Sequence, residues 1–179
     1  MGKYINSDIE EYFRKKIISL QNDCNRAFID LAIYGLQPSP FPILMYVMSF
    51  INFFGSALGY KGKHTDKLKK FCINDLGYGT LETEILIKNF RNILMHNSEP
   101  KTVKNLTTTF GWRIEYESRD HMKLAAIGKD VSIINLGIKN IIDDINTFLE
   151  YKYIPLLKKE KELTDNFNKV MDISEVQQI

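Results

Sequence analysis

The sequence predicts a mainly α-helical bundle with a small antiparallel β-meander, at about residues 107–134, inserted before the last long helix. Three observations lead there. Apolar residues recur every three or four positions through most of the first hundred residues, which gathers them on one helix face. The period then switches to two among β-branched and aromatic residues between Thr107 and Ile134. The helical spacing returns from Asn135 onward. With 179 residues, 44% hydrophobic and 26% charged, the chain reads as one domain over 1–179 with the composition of a soluble globular protein. A chain of that size buries enough surface to need no metal or disulfide staple. Global disorder, collagen-like and disulfide-rich classes are excluded. Lys and Arg number 24 against 22 Asp and Glu, so there is no overall basic field. An anionic partner has to be met by a local patch.

The elements follow in order. Ser7-Asp8-Ile9-Glu10 has the form of a capping box and should open a helix running to about Tyr34, where Gly35 ends it. Ile9, Phe13, Ile17, Leu20, Cys24, Phe28 and Leu31 form its stripe. Pro38, Pro40 and Pro42 prevent helix in the connection that follows. Phe41–Tyr60 is the most apolar stretch and, at 20 residues, could span a bilayer. Ser49, Asn52 and Ser56 interrupt it, Gly55 and Gly59 weaken it, and it stands alone, so a central bundle helix is the preferred reading. Those three polar residues share one face, which should meet a groove or a neighbour's backbone. Thr65–Leu76 reads as a short basic helix closed by Gly77. Thr80 should cap a helix from Leu81 to about His96, with Glu82 and Glu84 in its first turn.

Strands are predicted at Thr107–Glu117, Met122–Ile127 and Val131–Ile134, with Gly128-Lys129-Asp130 as a tight hairpin loop. Asn135 should cap the last long helix, which runs to about Tyr153 on Ile138, Ile141, Ile142, Ile145, Phe148 and Leu149. Pro155 should kink or break it. Residues 155–179 are charged and read as a loosely packed or partly frayed tail. Cys24 and Cys72 lie far apart, without a CxxC or His-rich companion, and read as buried or half-buried thiols in a reducing compartment rather than a zinc site. MGKYINSDIEEYF has no apolar core of a secretory signal, and Asn6 breaks the myristoylation pattern. A cytoplasmic, membrane-free protein without cofactor or metal is the expectation.

One motif carries chemistry. In Asn89–Asn97, Arg91 and Asn92 are followed by three residues and then His96, as R-N-x-x-x-H. This resembles the signature of the HEPN superfamily (higher eukaryotes and prokaryotes nucleotide-binding), whose members are helical bundles and often metal-independent ribonucleases. The resemblance spans residues 7–97 and extends to the last helix; the β-meander is not part of the basic all-helical pattern. It implies an up-and-down HEPN-like bundle of the stand-alone ribonuclease or toxin-like branch. It further implies a homodimeric endoribonuclease that cleaves RNA by attack of its 2′-hydroxyl at a composite site. A toxin or phage-defence setting follows from the same resemblance, with a protein or nucleotidyltransferase antitoxin as partner. The alternative is a non-catalytic HEPN-like module that binds RNA, a nucleotide or a protein. A third reading is an unrelated helical interaction protein with a chance motif.

The residues themselves suit that chemistry. On a helical wheel Leu86, Ile87, Phe90, Ile93 and Leu94 cluster toward the bundle. Asn92 and His96 lie opposite, with Leu81, Ile85 and Met95, a second apolar seam suited to a partner copy. His96 titrates near neutrality and can act as general base or acid. The Arg91 fork can hold phosphate oxygens and stabilise developing charge. Asn92 can orient His96 or bind a phosphate oxygen. Structural roles compete: Arg91 could pair with Glu84 or a loop acid, and His96 could simply favour the helix C-terminus. Lys61, Lys63, Lys67, Lys69 and Lys70, with His64, form the densest basic segment, either a solvated face or a contact to an RNA backbone. His121 reads as a surface or cross-strand residue, Asp143-Asp144 lacks the companions of a metal site, and Trp112 and Tyr116 read as packing residues.

Overall fold

A computed structural model describes residues 3–30, 40–88, 103–105 and 107–176. Helix α1 spans Asn6–Asn25 and continues as a π-helical turn over Arg26–Asp30. Ile9, Phe13, Ile17, Leu20 and Cys24 are buried along one face, as their spacing predicts. The cap differs from the predicted one. Asp8, not Glu10, reaches back, its carboxylate accepting the Ile5 N–H at 3.1 Å. Asn168 holds the preceding Tyr4 by both its N–H and its C=O, at 2.8 and 3.1 Å, and so fixes where the chain turns into the helix. Glu10 is free to pair with Arg14 one turn on.

Helix α2, Phe41–Ala57, is the apolar segment, and Leu44, Val47, Phe50, Ile51 and Phe54 are buried around much of its circumference. Among the described residues no helix is long and apolar enough to cross a membrane. Helix α3, His64–Asn74, packs against it closely. A Cβ added to Gly55 would come within 2.9 Å of the Lys67 carbonyl oxygen, so only glycine permits this approach. The polar stripe does meet a neighbour. Asn52 Nδ2 lies 3.1 Å from His64 Nδ1, and Lys67 Nζ donates to Ser56 Oγ at 3.2 Å. Gly77, at φ +74°, turns the chain out of α3, and the Tyr78 N–H then donates back to the Cys72 carbonyl at 2.9 Å. Helix α4, Thr80–Leu86, follows, with Gly79 as its cap and Thr80 already helical.

The sheet corrects the predicted meander. Strands β1 (Val103–Asn105), β2 (Thr108–Glu115), β3 (Leu124–Gly128) and β4 (Val131–Gly137) lie in the order β1-β2-β4-β3. The hairpin between β3 and β4 forms around Lys129-Asp130, but β4 then inserts beside β2 and runs parallel to it, from Thr109↔Val131 to Glu115↔Gly137. Burial explains the choice. Ile133 to Gly137 are all buried, and a strand covered on both faces takes the centre of a sheet. Ala126, Ile127 and Gly128 are exposed, so β3 takes the edge. Asn135 is therefore a strand residue rather than a helix cap, and its N–H donates to the Lys123 carbonyl at 3.1 Å.

Helix α5, Ile138–Phe148, buries Ile138, Ile141, Ile142, Ile145 and Phe148. Pro155 does not end it outright. A π-helical turn over Leu149–Tyr153 precedes a last short turn, α6, Ile154–Leu157, which absorbs the missing N–H. The charged tail then forms α7, Lys161–Val176, and it is not loosely packed along its first half. Leu163 and Phe167 are core residues, and the Phe167 ring meets Tyr4, Tyr12, Phe13 and Phe53 at 5.4–5.9 Å. Five helices converge on one aromatic core. Phe13 of α1 stacks on Phe54 of α2 at 4.2 Å, Phe54 stacks on Phe71 of α3 at 5.5 Å, and Phe148 of α5 meets Phe71 edge-on at 4.9 Å.

Candidate functional site

The helix predicted to carry the motif, Leu81 to about His96, is described only through α4 and on to Lys88. Arg91, Asn92 and His96 lie outside the described residues, as do Phe90, Ile93, Leu94 and Met95. The described part of the helix bears on the wheel. Leu86 is fully buried and Ile87 is nearly so, on the side predicted to face the bundle. Ile85, predicted on the opposite seam, is also buried in its own chain, together with Thr83. Buried positions 83, 85, 86 and 87 cover more than half of the helix circumference at 3.6 residues per turn. The helix start sits in a groove rather than on a flat face, so Ile85 is not available to a partner. Leu81, 40% exposed, remains on that side.

The basic segment flanks this helix. Lys69 Nζ on α3 lies 2.6 Å from Glu84 Oε1 on α4, a bridge between the two elements. The ammonium holds the Glu84 carboxyl below its usual range. Glu84, one acid considered for Arg91, is thus engaged by Lys69. Lys61, Lys69 and Lys70 line a cleft of about 360 Å³ with Asp66, Ile73 and Asn74. Lys70 Nζ donates to the Lys61 carbonyl at 3.3 Å. Lys67 points instead to Ser56 on α2, and Lys63 stands exposed at the start of α3. The structure therefore brings three of the five lysines together and sets the other two apart from them.

A second polar cluster lies beside the start of α4. His121, read from the sequence as a surface or cross-strand residue, is mostly buried in the connection between β2 and β3. Its Nδ1 accepts the Gly137 N–H at 3.1 Å, which assigns the proton of the neutral ring to Nε2. Nε2 lies 3.2 Å from Tyr78 Oη, and Tyr78 Oη donates to Asp144 Oδ2 at 2.7 Å. The chain His121–Tyr78–Asp144 ties the sheet to the α3–α4 turn and to α5. No periodicity signals it, since the three residues are 43 and 66 positions apart in their contacts.

Burial pushes the His121 imidazole down to about 4. The folded state keeps the ring neutral, while the unfolded chain takes up a proton near the ordinary His value of about 6.5. Stability from this site is thus complete above pH 6.5 and is lost as the pH falls toward 4. Burial raises the Asp144 carboxyl, which offsets part of the loss at the acid end. Between pH 7 and pH 5 the His121 contribution falls by about 2 kcal/mol. Urea midpoints measured at both pH values should show it in the wild type and a flatter response in His121→Gln. Parallel responses in the two proteins would contradict the assignment.

Burial also raises both thiols, Cys24 to about 11 and Cys72 to about 12, so neither offers a thiolate at neutral pH. Among the described residues, no three His, Cys, Asp or Glu side chains come together as a metal site requires. Comparison with models of protein families, with curated proteins and with solved structures finds no match to this chain.

Proposed function

We propose that the chain is a HEPN-type, metal-independent endoribonuclease whose composite active site forms between two copies, in a toxin or defence role with a protein or nucleotidyltransferase antitoxin. The observation that carries this is the R-N-x-x-x-H spacing of Arg91, Asn92 and His96 in the sequence that follows α4. The mainly helical architecture is compatible with it, and the basic cleft of Lys61, Lys69 and Lys70 beside α4 supports it.

In this reading His96 takes the proton from a ribose 2′-hydroxyl as its oxygen attacks the adjacent phosphorus. The bond from phosphorus to the 5′-oxygen breaks, and His96 of the partner subunit returns a proton to that oxygen. Arg91 stabilises the charge that builds on the phosphate oxygens. The products are a 2′,3′-cyclic phosphate and a 5′-hydroxyl. The burial of Ile85 narrows the apolar seam and favours the alternative, a non-catalytic module that binds RNA, a nucleotide or a protein.

The test is incubation of the purified chain with single-stranded RNAs in EDTA, with both product ends mapped. Cleavage that persists in EDTA and leaves cyclic or 3′-phosphate ends is expected. Intact RNA across varied sequences would move the assignment to the binding module.

A further inference from the structure

A cavity of about 200 Å³ opens between the end of α1, the segment after β2 and the first turns of α5, and it shares no residue with the basic cleft. Its floor is apolar, formed by Cys24 and Ile142, each 1% exposed. Tyr116 lines one wall, its ring braced by Phe28 at 5.9 Å between centroids. Three carboxamides of α1 complete the lining: Gln21, Asn22 and Asn25. Gln21 and Asn25 are four apart and so stand one above the other on the helix.

These groups are mostly unspent. Tyr116 Oη donates to Asn25 Oδ1 at 2.7 Å, which leaves the two Asn25 Nδ2 donors without a side-chain partner among the described residues. The carboxamides of Gln21 and Asn22 have no side-chain partner among the described residues. Charge decides what can enter. Lys139 Nζ is held by Asp143 at 2.8 Å and lies 3.5 Å from Glu117, so two carboxylates outweigh one ammonium and a phosphate is repelled. Cys24 stays protonated and offers nothing to a soft metal. The ligand that fits is neutral and planar, with an apolar face and adjacent donor and acceptor atoms on one edge.

We propose that this cavity receives a single unpaired nucleobase, stacked against the Tyr116 side and read along its edge by Gln21 and Asn25. The identity of the base as part of an RNA rests on the ribonuclease reading; the fit of the base itself does not. Adenine is the best match. A carboxamide accepts from its N6 amino group and donates to N7, and on the other edge the same N6 group stands beside N1, whereas uracil carries no exocyclic amino group. Unpaired bases, splayed from the strand, are what proteins read in RNA.

The probe is the four free nucleosides, which carry no phosphate and cannot be cleaved. The ¹⁵N-labelled full chain is titrated with each, and the side-chain amide signals of Gln21, Asn22 and Asn25 are followed by NMR. Adenosine should move the Gln21 and Asn25 signals and bind more tightly than uridine by about 5- to 150-fold. Gln21→Ala should remove that discrimination with the fold intact, because Gln21 is at the cavity rim. Unmoved amide signals with all four nucleosides, or discrimination that survives Gln21→Ala, would overturn the proposal. Nucleoside shifts without RNA cleavage would leave the cavity standing and remove the nuclease reading. Cleavage without shifts would do the reverse.

Discussion

His96→Ala should lower RNA cleavage by roughly 10²–10⁴-fold, the usual cost of losing one positioned proton-transfer group. Without the imidazole, the 2′-hydroxyl has to lose its proton to water while the leaving 5′-oxygen has no acid poised beside it. Arg91→Ala should be comparably damaging, since removing a charge-stabilising donor costs about 10²–10³-fold. Asn92→Ala should be milder, because a carboxamide that orients a base changes geometry rather than supplying a proton. Initial rates on single-stranded RNA in EDTA give the comparison, and circular dichroism checks that each variant keeps its helices. Thr83, Ile85, Leu86 and Ile87, ahead of the motif in sequence, are buried, so the fold has anchors independent of His96. Equal cleavage by wild type and His96→Ala would sink the assigned site.

The second large effect concerns α7. Phe167→Ala should destabilise the protein by about 3–5 kcal/mol, the range for truncating a fully buried aromatic ring. Four aromatic rings from the N-terminal segment, α1 and α2 surround Phe167, and the cavity would be walled by side chains already fixed by their own stacking. A loosely packed tail would instead lose no more than about 0.5 kcal/mol. Denaturant unfolding separates the two by several kcal/mol. Asn168, next in sequence, locks the same helix to Tyr4 by two backbone hydrogen bonds, so the loss should be felt by the whole domain rather than by a fraying end.

Much of the helical layer was legible residue by residue. The stripes of α1 and α5 are buried as their spacing predicts, because a 3.6-residue period is local geometry. The polar stripe of α2 also meant what it suggested, since Asn52 and Ser56 meet His64 and Lys67. The wheel of the motif helix was less reliable. It sorts residues by angle but carries no measure of how deep the groove is that receives them, and Ile85 is buried as a result.

The sequence by itself determined the helices α1, α2, α3 and α5, the strands β2, β3 and the start of β4, the core-seeking faces of α1 and α5, the tight hairpin at Gly128-Lys129-Asp130, and the R-N-x-x-x-H spacing that carries the proposed chemistry. Each is encoded within a few residues of chain. Only the tertiary structure decided that β4 sits beside β2 in parallel, that His121 reaches Tyr78 and Asp144, that Phe167 completes the aromatic core, and that Tyr116 meets the end of α1. Hydrophobic periodicity states that a face must be covered but not by which element, because burial is non-directional and many pairings satisfy it alone. The choice among them falls to packing that all the elements satisfy together, which no single stretch of sequence contains.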